Sequence, residues 1–413
     1  MKRKKLPEYL LTVSVLAFVF FFGIMTALTG GGRIARSAAD AANRRSVTNA
    51  LQAVQTGIKA VTAEYNLVSY KKQWLVSVSG AVRRVLGDSF FPNADGNLVQ
   101  VRLNDGLIAK LKTNLDVRES QGALIDIRDF LDERDIDLII TYAHTKVIYP
   151  ETQLPAGAED NSNAIADRFF RMLDDLGIEY IDTRPILRAS GIPSNELYYH
   201  TDGHWTIPAA FEAFQVLAER LNATGRFAIP HSVIDRNSYF TTVLDQHFLG
   251  SDGRALGAEH SQLDDFVMIM PTFETRFQER SVNTDGEWEE RIGSFEQAIL
   301  NMDRLTPDEG EIYSTGCYAT YGYNRPEVLI TNELMDTGRV LFIKNSAGNP
   351  LLDFIALGVR EACGVDRRVL TTSTIADYID AYRPDAVVIA YNYDFIKPDR
   401  LDIFTISTDP GLE

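Results

Sequence analysis

Two stretches of this chain alternate short, unbroken apolar runs with segments of helical period, and that alternation restricts the fold more than any other feature. From Asp137, DLIITYAH is an apolar run, NAIADRFFRMLDDLG carries apolar residues at helical spacing and ends at Gly177, IEYIDTR is a second run, and PAAFEAFQVLAERL a second helix. The pattern resumes with RVLFIKNS (339–346), a helix through PLLDFIALGVREACG, a strand RRVLTT, a helix STIADYIDAYR and a strand PDAVVIAYN that ends near Asn392. Strands buried on both faces read as near-continuous apolar runs, and an intervening helix returns the chain for parallel pairing. The expectation is an α/β domain whose parallel sheet is covered by helices on both faces. Between the clusters, residues 225–335 are acidic, loop-rich and weakly periodic, and read as a long insertion or lid. Ahead of them, NLVQVRLNDGLIAKL (97–111) alternates about Asn104, Asp105 and Gly106, which reads as a β-hairpin.

The chain starts MKRKKLPEYLLTVSVLAFVFFFGIMTALTGGG, in which residues 9–28 carry no charge and follow four consecutive cations, Lys2 to Lys5. A helix of that length spans about 30 Å, the thickness of a bilayer's hydrocarbon core. The run is longer than the apolar part of a cleaved signal, and TALTGG is a poor cleavage match, so an uncleaved anchor is expected. The cations ahead of the span place residues 1–8 in the cytoplasm, residues 9–28 across the membrane and the remainder outside. A helical juxtamembrane segment (29–90) and an extracytoplasmic domain (91–413) complete the expected organisation. In the juxtamembrane segment Val47, Leu51, Val54, Ile58, Val61, Tyr65 and Val68 form a heptad stripe, suited to a helix lying on its own domain or to a self-associating stalk.

Overall, 41 cations face 57 acids, and four of the cations are those at the amino terminus. A body this acidic repels phosphate backbones, which argues against nucleic acid as a partner. Cys317 and Cys363 are the only cysteines. Whether they meet in a disulfide is not legible, and no third ligand at metal spacing accompanies them.

Candidate chemistry concentrates in YYHTDGHWT (198–206), which holds two of the six histidines. In an extended segment residues two apart face the same way, so Asp202 and His204 would present carboxylate and imidazole to one cleft. Ser346 ends an apolar run and is followed by Ala347, Gly348 and Asn349 before Pro350 opens a helix, a strand–turn–helix geometry that exposes a hydroxyl. A serine needs a base within reach and a group to orient that base, which His204 and Asp202 can supply. The same nine residues admit two other readings. His200, Asp202 and His204 could present three ligands to a metal, and an Asp-x-His can be no more than a hydrogen-bonded loop. His144, His231, His247 and His260 have no identifiable partner and read as structural.

T-D-G-H-W resembles the signature of the DHHW family and of the alginate O-acetylation proteins, whose catalytic domains are similar to SGNH hydrolases. In that group an Asp-x-His pair precedes a serine that follows a strand, the order of Asp202, His204 and Ser346 here. HTKVIYPE (144–151), IKNSAGNPLLDFI and the closing segment through PDAVVIAYN are similar to family blocks, so the likeness covers roughly residues 90–395. The chain departs from the pattern at Gly203, which stands for the second position of D-H-H-W, and at Lys344 and Asn345, which stand for the glycine and aspartate of G-D-S. The resemblance implies an SGNH-like fold and serine acyl transfer, moving or removing acetyl groups on a cell-surface polysaccharide, without a cofactor. Ser346 would be the nucleophile, His204 the base and Asp202 its orienter. The Ala347 amide and Asn349 would stabilise the oxyanion, with Lys146, Tyr199 and Trp205 against substrate. A transferase would need a multipass membrane acyltransferase partner to supply acetyl groups. The absent glycine and aspartate leave open a non-catalytic polysaccharide-binding or scaffold subunit.

Overall fold

The computed structural model describes residues 5–42, 70–92, 98–283, 286–322, 325–366 and 374–393. The chain divides into two compact units, Met1–Arg83 and Arg84–Glu413. In the first, helix α1 (Lys5–Ala42) contains Leu16–Ser37, long and apolar enough to cross a membrane and mostly exposed rather than packed in a core. Helix α2 (Lys72–Leu86) lies against it: the Tyr70 N–H donates to Thr26 Oγ1 (3.0 Å), and Trp74 stacks on Phe22 with ring centroids 6.0 Å apart. The heptad stripe at 47–68 and the run RRVLTT lie outside the described residues.

The second unit opens with an antiparallel three-stranded sheet, β1 (Phe90–Pro92), β2 (Leu98–Arg102) and β3 (Ile108–Lys110). The expected hairpin is its β2–β3 pair, turned at Gly106 with a φ of +91°. The main sheet draws on β4 (Asp137–Ala143), β5 (Glu179–Asp182), β8 (Phe277–Val282), β9 (Trp288–Gly293), β10 (Glu327–Asn332), β11 (Arg339–Lys344), β12 (Glu361–Val365) and β13 (Ala386–Asn392). Their order is β5-β4-β13-β11-β12-β10-β8-β9. The first five are mutually parallel, and β10, β8 and β9 continue antiparallel beyond β12.

The architecture is α/β, as the alternation predicted, but the sheet is mixed. The antiparallel strands β8, β9 and β10 come from the stretch read as a loop-rich insertion. That stretch also holds β6 (Tyr239–Phe248) and β7 (Asp264–Pro271), which pair as a two-stranded sheet. The alternation is obscured because the inward positions of β8 are Phe277, Glu279 and Ser281. Glu279 is buried and tolerated because Arg291 on β9 and Arg325 pair with it. A second difference falls on PLLDFIALGVREACG. Its helix is only Asn349–Ala356, and EACGV is the buried strand β12. Gly358 forms the break, where a Cβ would sit 2.5 Å from Ile229 Cγ2.

Each central strand feeds two cores. On β11, Val340 and Phe342 join Phe211, Phe214 and Phe354 on one face, while Leu341 and Ile343 join Ile127, Phe169 and Ile389 on the other. This is the period-2 alternation of a strand covered on both sides. Phe354, fully buried, packs its ring at 5.0 Å from Phe211 and 5.3 Å from Phe214, and such a side chain contributes about 2–3 kcal/mol through burial. Helix Ser162–Leu176 buries Ile165, Phe169 and Leu173 at helical spacing and ends at Gly177 (φ +67°), where the sequence stops it.

Candidate functional site

Ser346 begins a tight turn, Ser346–Gly348, at the carboxyl end of β11, where open α/β sheets gather their ligands. Two features shape the turn. Asn345 caps it, its Oδ1 accepting from the Ala347 N–H at 3.0 Å. Gly348 lets it press on β13: a Cβ there would stand 2.8 Å from both Ala390 Cβ and Ala390 O. Ser346 is left half-buried and lines a cavity.

His204 Nε2 lies 2.7 Å from Ser346 Oγ. On the far side of the ring, Nδ1 contacts Asp202 Oδ1, which also accepts the His204 backbone N–H at 3.2 Å. Asp202 Oδ2 accepts from the Ser251 N–H at 2.9 Å. Burial alone would raise the Asp202 carboxyl, but the imidazole charge, its hydrogen bond and the Ser251 amide outweigh burial and hold the group below the usual carboxylate range. An ionised Asp202 fixes the tautomer with the proton on Nδ1, leaving Nε2 to accept from Ser346. The pair does not face one way through extended backbone, as the spacing suggested. Residues 201–204 form a bend, and Asp202 folds back onto the residue two ahead, an Asx-type turn.

The surrounding cavity, of about 230 Å³, is lined in part by Lys146, Gly203, His204, Trp205, Ser346 and Ala347. Lys146 is buried, with Nζ donating to Ile108 O (2.7 Å) and His200 O (3.3 Å). Desolvation lowers its pKa, opposed by Asp252, Asp264 and Asp202. Trp205 edges the cavity with most of its ring in the apolar core. Tyr199 is a correction: it packs in the core against Phe248, Phe266 and Tyr318, because burying a ring there exceeds anything gained by exposing it. Asn349 is another, since its amide faces away from the cavity. Oδ1 accepts from Lys344 Nζ (2.6 Å) and Nδ2 donates to Gly322 O (2.9 Å). The Ala347 N–H is held by Asn345 and would have to leave it to reach an oxyanion.

The three-ligand metal reading fails on geometry. His200 turns from Asp202 and puts Nδ1 3.1 Å from Asp264 Oδ1, and no group of three His, Cys, Asp or Glu side chains among the described residues converges on one point. His144 Nε2 donates to Val147 O (3.0 Å), and burial holds the ring neutral with a pKa of about 4. His247 contacts Leu305 O, His231 begins a short helix, and the His260 side chain is outside the described set. Cys317 and Cys363 are free, buried thiols.

Several supporting residues escape sequence reasoning, and all come from the stretch read as a lid. Asp264, at the start of β7, accepts from the His200 and Thr201 N–H groups at 2.6 and 2.8 Å and from the Thr201 hydroxyl, pinning the bend. Tyr318 stacks on the His204 ring (centroids 3.9 Å, 14° between planes), and its hydroxyl donates to Ser346 O at 3.2 Å. Nothing in GCYAT marks this tyrosine.

A phenol stacked face-on fixes the plane of the imidazole and so its aim at Ser346. If Ser346 acts as a nucleophile, Tyr318→Leu should therefore lower kcat for ester cleavage about tenfold, while KM moves less. Tyr318→Phe keeps the stack, loses one neutral hydrogen bond and should cost about threefold. Equal losses in both variants, measured on a chromogenic acetyl ester, would dismiss the stack.

Residues 104–285 match the sequence model of a family described as "SGNH hydrolase-like domain, acetyltransferase AlgX". Over those residues the chain is similar to an SGNH hydrolase-like domain. The matched residues include Asp202 and His204 and stop short of Ser346. Among solved structures, Bacillus cereus PatB1 superposes with a TM-score of 0.60 at 16% identity, over 75% of this chain and 99% of that one. A sulfonyl adduct of the same protein gives 0.58 at 16% identity over 74% and 99%. A DHHW family protein from Eubacterium siraeum gives 0.56 at 16% identity over 76% and 98%. At that identity the likeness is one of fold. No curated protein matches the sequence. The chain thus has the SGNH-like α/β fold that the resemblance implied.

Proposed function

We propose that this protein is a membrane-anchored serine O-acetyltransferase or acetylesterase acting on a cell-surface polysaccharide, with its SGNH-like domain outside the cytoplasm. The observation that carries the reading is the 2.7 Å approach of His204 Nε2 to Ser346 Oγ, between residues 142 positions apart, with Asp202 behind the ring. Ser346 Oγ attacks the acetyl carbonyl as its proton passes to His204 Nε2. Collapse of the tetrahedral intermediate expels the leaving alcohol, which takes that proton, and leaves an acetyl-serine. Water or a sugar hydroxyl then attacks, giving its proton to the same nitrogen, and Ser346 is restored when the acetyl group departs. Asp202 holds the ring and stabilises the imidazolium at each stage.

For the oxyanion, the side-chain amides lining the cavity beside Ser346 are Asn345 and Asn392, and Lys146 adds positive charge to the same space. Lys146 and Trp205 are the substrate contacts retained from the sequence. The exposed apolar α1 supports the anchor, and the family description supports acetyl transfer. A transferase would take acetyl groups from a multipass membrane partner. The scaffold reading would leave a serine, histidine and aspartate aligned without use.

Phenylmethylsulfonyl fluoride modifies hydroxyls activated by an adjacent base. Intact-mass and peptide analysis should find one adduct, on Ser346, with labelling slowed at least about a hundredfold in Asp202→Asn. Acetate release that persists in Ser346→Ala, or labelling indifferent to Asp202, would overturn the proposal.

A further inference from the structure

Helix α2 presents an apolar face that is largely exposed among the described residues. Val78, Val82, Val85 and Leu86, together with Trp74, which stacks on Phe22 and keeps half its surface open, are between 42% and 86% exposed, and their spacing of i, i+4, i+8, i+11 and i+12 puts them on one side of a helix. Residues 70–86 also contain Lys71, Lys72, Arg83 and Arg84 and no carboxylate, within a chain that has 57 acids. Basic charge beside a single apolar face is the composition of a helix lying in a lipid–water interface rather than spanning it or packing in a core. The contacts with α1 fix a depth. Tyr70 meets Thr26 and Trp74 meets Phe22, one to two turns inside the outer end of the uncharged run 9–28. Tyrosine and tryptophan favour that level of a bilayer, where the ring is apolar and its polar edge is wet.

We infer that α2 is a second membrane contact, an amphipathic helix seated on the surface of a bilayer containing anionic phospholipid. The inference rests on the reading of α1 as a membrane anchor. Its occupant is lipid rather than a second copy of the chain, because a stretch with four cations and no acid of its own repels its image and is attracted to phosphate headgroups. The apolar face enters the acyl boundary while the cations stay among the headgroups.

The full chain, reconstituted in phosphatidylcholine vesicles with and without phosphatidylglycerol, tests this directly. Cys317 and Cys363 are buried, so the variants V78C and V82C take an environment-sensitive nitrobenzoxadiazole label at the new position, and F20C reports the anchor. The expected result is a blue-shifted emission at positions 78 and 82, quenched by brominated lipid at least about twofold more when phosphatidylglycerol is present. Labels at 78 and 82 that stay in water while position 20 is quenched would overturn the inference and leave the anchor standing. A label at 20 that is not quenched would remove the anchor and the inference with it. Energy transfer between labelled copies without lipid quenching would assign the face to self-association and overturn the inference as well.

Discussion

His204→Gln should lower kcat for release of acetate from a chromogenic ester by about four orders of magnitude, with the melting temperature almost unchanged. The loss is large because one ring makes both contacts that the proposed proton relay needs: its Nε2 lies 2.7 Å from Ser346 Oγ, and its Nδ1 is held by Asp202. Glutamine keeps polarity and removes the shuttle. Asp202→Asn should fall to a similar level, since a neutral amide no longer fixes the proton on Nδ1 or stabilises the imidazolium. A His204→Gln enzyme within about tenfold of the parent would take the imidazole out of the mechanism.

The pH dependence follows from the same contacts. Asp202 is held below the ordinary carboxylate range, so its contribution to stability is fully present above about pH 4 and is lost as pH falls through its lowered folded value. Asp202 therefore remains ionised well below the pH at which an ordinary carboxylate takes up a proton, and under the proposed mechanism it should contribute no acid limb of its own. A second proton appearing in the acid limb of kcat/KM, removed in Asp202→Asn, would show that Asp202 titrates in the working range and would overturn this.

Gly250→Ala should cost about a hundredfold in kcat and about 1–3 kcal/mol of stability, although residue 250 touches no reacting atom. The turn at Gly250 and Ser251 lies directly on the bend that carries the dyad. The Gly250 N–H donates to Thr201 Oγ1 (2.8 Å) and the Ser251 N–H to Asp202 Oδ2 (2.9 Å). A Cβ at 250 would stand 2.6 Å from Thr201 O and closer still to Asp202 Cβ, where ordinary contact needs 3.4 Å. Both neighbours are backbone or backbone-proximal atoms that no rotamer change can move, so Asp202 must shift by about 1 Å. Kinetics and a denaturant melt check the two effects, and a fully active, equally stable Gly250→Ala would show that the turn is not a support.

Much of this was legible because it follows from period. β4, β5, β11 and β13 stand where short apolar runs placed them, and helix Ser162–Leu176 ends at the glycine that permits a left-handed residue. Asp202, His204 and Ser346 were found because a base, its orienter and a strand-end serine are chemically unusual company. The rest was hidden for specific reasons. Glu279 occupies an inward position on β8 and is neutralised by arginines from neighbouring segments, so the strand does not look buried. EACGV is too short and too plain to tell a buried strand from the end of a helix. Asp264 and Tyr318 act on the bend from 64 and 114 positions away, distances no local pattern spans. Tyr199 and Asn349 were misplaced because adjacency in sequence says nothing about which way a side chain turns once a core is available.

The position of β11 has a consequence for when the protein becomes reactive. Its neighbours are β12 and β13, and both follow it in the sequence, β13 ending at Asn392. The Ser346–Gly348 turn rests on Ala390 of β13, so under the proposed chemistry the imidazole and the alcohol meet only after a strand that follows both of them in the sequence has docked.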